Sequence, residues 1–111
     1  MKVLVCGGRN YSNVDKMYSV LDTFPITTII SGHARGADQM AEMYADERDI
    51  AVEVYPADWS KHGKAAGFIR NKQMLDEGKP DLVVAFPGGK GTSMMVDIAR
   101  KAGVTVEEIE E

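Results

Sequence analysis

The chain has 111 residues, 44% of them hydrophobic and 27% charged, which fits one domain with a real core. Its net charge of −4 and pI near 5.2 argue against a protein that wraps nucleic acid through surface charge. No apolar run approaches the roughly 20 residues of a membrane span, so no membrane partner is expected.

Met1-Lys2 leads straight into a short apolar run rather than a signal peptide. That run, Lys2–Cys6, is continuous, as expected of a parallel strand covered on both faces. Its cysteine is the only one in the chain, which excludes an intrachain disulfide and fits a reducing, cytoplasmic setting. Cys6 reads as a small buried hydrophobe rather than a nucleophile. A glycine turn follows, Gly7-Gly8-Arg9-Asn10-Tyr11. Asn13 can cap a helix over 14–23, with Met17, Val20, Leu21 and Phe24 on one face and Pro25 as its stop. Residues 26–31 read as a β-branched strand.

A second glycine turn spans Gly32-His33-Ala34-Arg35-Gly36-Ala37-Asp38, and a helix follows with Ala37, Met40, Ala41 and Tyr44 in register, reaching about Arg48. Residues 51–55 read as a strand ending at Pro56. Residues 57–67 are the least regular stretch. A helix over 65–77, ended by Gly78, carries Ile69, Met74 and Leu75 on its apolar side. The strand at 81–86 leads into a third glycine turn, Pro87-Gly88-Gly89-Lys90-Gly91-Thr92, before a helix over 94–102. Residues 104–107 read as a last strand, and the end of the chain is an acidic, solvated tail.

Strands alternate with helices five times. The expected fold is therefore α/β, one domain over 1–111, a Rossmann-like three-layer sandwich. Its five-stranded parallel sheet would run in the order 3-2-1-4-5 with helices on both faces. In such a sheet ligands bind outside the carboxyl ends of the strands, where the strand order switches. The turns after strands 1, 2 and 4 would converge there. Glycines let a backbone approach a ligand closely, and a helix start offers unpaired N–H groups to an anion. Thr92 can cap the last helix or donate to the same anion. The turn is not a P-loop, because position 84, where G-x-x-x-x-G-K needs its first glycine, is Val84.

The spacings S-G-x-x-x-G-A-D from Ser31, P-A-D-W from Pro56, A-G-x-x-R-N from Ala66 and P-G-G-x-G-T from Pro87 resemble the SLOG superfamily of nucleotide-binding Rossmannoid domains. Within it the chain resembles the small YspA/cpYpsA-related group of bacteria and phages. The superfamily includes the LOG phosphoribohydrolases, which cut the N-glycosidic bond of nucleoside monophosphates. That resemblance implies that Gly88, Gly89, Gly91 and Thr92 hold a phosphate, that Gly32 and Gly36 shape the facing wall, and that Arg70 lies beside sugar and phosphate. One departure matters. LOG enzymes carry glutamates just after G-T, where this chain has Ser93, Met94 and Met95, and a thioether cannot activate water or stabilise an oxocarbenium-like state. LOG relatives are dimers, which implies a homodimer or higher homo-oligomer here. Seven methionines leave apolar surface for its seam.

The candidate ligand-binding residues are Gly7, Gly8, Arg9, Gly32, Arg35, Gly36, Trp59, Arg70, Asn71, Pro87, Gly88, Gly89, Lys90, Gly91 and Thr92. Arginine is the usual bidentate partner of phosphate. Arg9, Arg35 and Arg70 are accordingly either phosphate ligands or solvated side chains. Trp59 either stacks on a base or covers core or seam. The candidate acids are Asp38, Asp58 and Asp97. Asp38 also suits a helix start for electrostatic reasons alone. His33 and His62 lack metal-ligand spacing, so no metal or other cofactor is expected. The expected function is a module that binds a nucleotide or nucleotide-derived small molecule, as a sensor or by sequestering it. The alternative is an N-glycosidic hydrolase acting on a nucleoside phosphate or ADP-ribose-like compound. DNA binding, known in a DNA-processing branch of the superfamily, conflicts with the acidic pI.

Overall fold

The computed structural model describes residues 1–110. Five strands, β1 (Lys2–Cys6), β2 (Thr28–Ser31), β3 (Ala51–Val54), β4 (Leu82–Ala85) and β5 (Thr105–Glu108), form one sheet. Every pairing is parallel and the order is β3-β2-β1-β4-β5. The strand alternation thus produces the expected sheet.

Successive side chains of a strand point to opposite faces, and the central strands use both. Val3, Val5, Ile29, Leu82 and Val84 pack under α1 (Val14–Leu21) and α2 (Ala37–Glu47). Leu4, Cys6, Ile30, Val83 and Ala85 pack under α4 (Ala66–Gly78) and α5 (Lys90–Lys101). Met17 and Leu21 of α1 are fully buried, and each such side chain contributes about 1.5–3 kcal/mol. The three layers follow directly from continuous apolar runs flanked by amphipathic helices.

A polar clasp joins α1 to α2. Asp22 accepts from Tyr44 Oη at 2.6 Å and from Arg48 Nη2 at 3.1 Å. The Arg48 guanidinium lies 5.3 Å from the Tyr18 ring and 5.0 Å from that of Tyr44. The clasp secures the far end of α2, whose start faces the carboxyl edge of the sheet.

Several boundaries differ from the sequence expectation. Helix α1 ends at Leu21, because Thr23 returns its hydroxyl to Val20 O at 2.6 Å and closes the last turn. Strand β2 starts at Thr28 rather than Ile26, since Ile26 N bonds Phe24 O in a local turn. Strand β5 is shifted one residue toward the C-terminus. The irregular stretch holds a one-turn helix, α3 (Trp59–His62), and a 3₁₀ turn (Gly63–Ala65). The largest difference is at the third glycine turn. Helix α5 begins at Lys90, with Gly89 as its N-cap and no side-chain capping bond. Gly91 and Thr92 therefore belong to the first helical turn, and Thr92 is not the cap. No side-chain cap satisfies the N–H groups of its first turn.

Candidate functional site

The three glycine turns meet at Gly8. Its amide donates to Pro87 O at 2.9 Å, and its carbonyl accepts from Ala37 N at 3.1 Å and Tyr11 N at 3.2 Å. Two glycines make that meeting possible. Gly36 has φ +74, and a Cβ there would strike the carbonyl oxygens of Gly8 and Arg9. A Cβ on Gly88 would strike Thr92 Oγ1 and lie 2.7 Å from Gly8 N. Gly88 and Gly36 thus serve the packing of backbone on backbone.

Beside this knot lies a cleft of about 600 Å³, within the usual range of ligand pockets. Its position between the ends of β1 and β4 is the switch point of the sheet. Gly7, Gly8 and Arg9 line it from one turn, and Gly89, Lys90, Gly91 and Thr92 from another. A Cβ on Gly89 or Gly91 would meet nothing in the protein. Their bareness is not demanded by packing and keeps the wall open. The first helical bond of α5 runs from Ser93 N to Gly89 O. The N–H groups of Lys90, Gly91 and Thr92 therefore have no carbonyl within the helix, and they carry the positive end of its dipole.

Arg70 and Asn71 on α4 form the opposite wall. Arg70 Nη1 donates to Gly32 O at 2.5 Å and its Nε to Asn71 Oδ1 at 2.9 Å. Asn71, buried, donates in turn to Gly91 O at 3.2 Å. The guanidinium is thus held between the β2 turn and the start of α5. A held guanidinium loses less entropy on meeting an anion than a free one. Burial pushes its pKa down from the ordinary value, with the Arg9 charge acting in the same direction and Asp38 against it.

Asp38 is the one carboxylate on the cleft among the described residues. It is only 8% exposed and accepts from Ala34 N at 3.1 Å. Burial pushes its pKa up to about 6, against the pull of the Ala34 amide and the Arg70 charge. A point where a Gly32 Cβ would stand is 2.6 Å from Arg70 Nη1 and 3.0 Å from Asp38 Oδ2, so both charged tips border Gly32 without forming an ion pair with each other. Beneath them Glu42 accepts from Ser31 Oγ at 2.8 Å and contacts His33 Nδ1 at 3.0 Å. His33, at φ 60, is held in that conformation by this network.

Trp59 closes one side, with the Arg9 guanidinium 5.6 Å from its ring centroid. Other candidates do not reach the cleft. Gly32, Gly36, Pro87 and Gly88 are not part of its lining, Gly88 lines a second, smaller cavity with Thr92 and Glu108, and Arg35 is exposed and also outside the lining. Asp58 caps α3, accepting from Ser60 Oγ at 2.9 Å and Lys61 N at 3.0 Å. Those bonds, Ser60 first, hold its carboxyl below the usual range. Asp97 is exposed on α5, outside the lining. Sequence reasoning missed Lys64, Gly67, Phe68, Met74 and Met94, which also line the cleft. Positions 67, 70, 71 and 74 share one helical face, and that spacing around Arg70 was the available signal.

A five-stranded parallel sheet with helices on both faces and a glycine-walled cleft at its switch point defines a Rossmann-like α/β domain. The chain belongs to the YspA, cpYpsA-related SLOG family, whose family model matches residues 1–62. It is also 34% identical over 117 residues to Gene 61 protein of Mycobacterium phage D29, covering 95% of this chain and 93% of that protein. The family match carries the first two glycine turns and Trp59, while Arg70 and the third turn lie beyond it. Membership points to nucleotide-related binding or modification. No helix among the described residues is long and apolar enough to cross a membrane.

Proposed function

We propose that the cleft binds a nucleotide or nucleotide-derived ligand, and that the protein acts as a sensor or sequestering module. A phosphate sits on the N–H groups at Gly89–Thr92, flanked by Lys90 and Arg70. The apolar wall of Trp59, Phe68 and Met94 takes the base. The observation that carries this is the meeting of three turns, a bare helix start and a braced arginine on one cleft. A thermal-shift series with nucleoside phosphates and ADP-ribose tests it. A ligand at 100 times its Kd adds about 2.7 kcal/mol, which for a domain this size raises the melting point by roughly 10 °C. No shift with any of them would sink the proposal.

Gly32→Ala separates binding from folding. The new methyl would meet the tip of Arg70 and, at 3.0 Å, the Asp38 carboxylate, both side chains rather than backbone. Stability should change by only about 1 kcal/mol. Displacing the guanidinium should weaken nucleotide binding by about tenfold or more. Unchanged affinity in a titration of the folded variant would show that Arg70 does not contact the ligand.

A second reading, an N-glycosidic hydrolase, is favoured by one observation. Asp38 is a buried cleft carboxyl with its pKa near the range of general acids and bases. Of the three candidate acids it is the one that reaches the cleft, so turnover, if present, should vanish in Asp38→Asn while binding persists.

A further inference from the structure

We infer that the ligand carries at least two phosphoryl groups, so that a nucleoside diphosphate or pyrophosphate-bridged nucleotide fits the cleft and a monophosphate underfills it. This rests on the nucleotide-binding proposal above and names its substrate class.

The charge distribution carries the inference. Arg9, Lys64, Arg70 and Lys90 line the cleft against Asp38 alone, although the chain as a whole has 17 acidic and 13 basic residues. The cleft therefore reverses the sign of the molecule. Acid is available elsewhere on the surface, yet none of these four cations forms an ion pair among the described residues. Arg9 instead rests on the Trp59 ring, and Arg70 bonds only neutral acceptors, Gly32 O and Asn71 Oδ1. Arg9 is also close enough to Arg70 to disfavour its charge. Two guanidiniums that repel across a shared space are relieved by an anion between them.

One phosphate does not use this set. A phosphomonoester brings about two negative charges at neutral pH. Lys90, Arg70 and the dipole of α5 already match that charge. Arg9 rests on the Trp59 ring and Lys64 belongs to the turn after α3, so neither is part of the start of α5. They remain for a second phosphoryl group.

Titration of Trp59 fluorescence with AMP, ADP, ADP-ribose and pyrophosphate tests this, since Trp59 is the single tryptophan. ADP and ADP-ribose should bind about tenfold more tightly than AMP, the worth of one added charge-assisted contact set. Lys64 is exposed, so Lys64→Gln folds. It should weaken ADP by about fivefold while leaving AMP within about twofold, whereas Lys90→Gln should weaken both alike. AMP binding as tightly as ADP, or an equal loss for both in Lys64→Gln, overturns the inference and leaves nucleotide binding standing. Absence of saturable binding by all four probes overturns the nucleotide proposal and the inference together.

Discussion

Gly36→Ala should lower the melting temperature by roughly 15 °C or more, corresponding to a loss of about 3 kcal/mol. Two costs add at this position. The backbone has φ +74, a conformation that L residues rarely adopt and that costs about 1 kcal/mol or more. The methyl would also collide with the carbonyl oxygens of Gly8 and Arg9. Those atoms are backbone and belong to the knot that Gly8 ties to Pro87 and Ala37, so they cannot step aside as a side chain would. Gly103→Ala is the control. Gly103 has φ +80 but open space around it, so it should show the conformational cost alone, about 1 kcal/mol. Equal losses in thermal or urea melts of the two variants would refute the close approach of the first two turns.

Asp38→Asn should stabilise the protein at pH 7 by about 2–3 kcal/mol, or roughly 8–15 °C. The sign follows from burial. The carboxyl has its pKa raised from 3.8 to about 6 in the folded chain, so between those values the native state binds more protons than the unfolded state. Stability then falls as pH rises through that window, and the full cost is present above pH 6. Arg70, Glu42 and His33 are the charged and titratable groups that act on it. The amide oxygen of asparagine can still accept from Ala34 N, so the turn is kept. The wild type should lose stability from pH 4 to pH 6, and the variant should lose much less. A parallel pH dependence in both proteins would place the titrating group elsewhere. A charge kept buried at such a cost is expected of a site residue rather than of a helix start chosen for stability.

The legible parts of this molecule are local. Apolar runs such as Lys2–Cys6 and Leu82–Ala85 mark central strands, because a strand covered on both faces has no polar positions to spare. Strict alternation with helices then left few topologies, and the observed order is the expected one. The start of α5 was less legible. Two glycines at its start, Gly89 and Gly91, suggested a loop by propensity, yet the helix begins at Lys90, with Gly89 as its cap and Gly91 in its first turn, because Met95, Val96 and Ala99 are buried against the sheet. Packing outweighs the local preference there.

The site divides the same way. The residue types, glycines at strand ends and an arginine in A-G-x-x-R-N, were present in the sequence. Which of them face a common space was not. Asp38, Asp58 and Asp97 are equal as letters, yet one is buried on the cleft, one caps a short helix and one points to solvent. The sequence alone determined the class of fold and the neighbourhood of the site, because periodicity and turn chemistry act over a few residues. Only the tertiary structure decided that Gly88 and Gly36 serve backbone packing, that Gly89 and Gly91 stay open, and that four cations share one cleft. Those outcomes depend on distances between segments far apart in the chain, which no local pattern encodes.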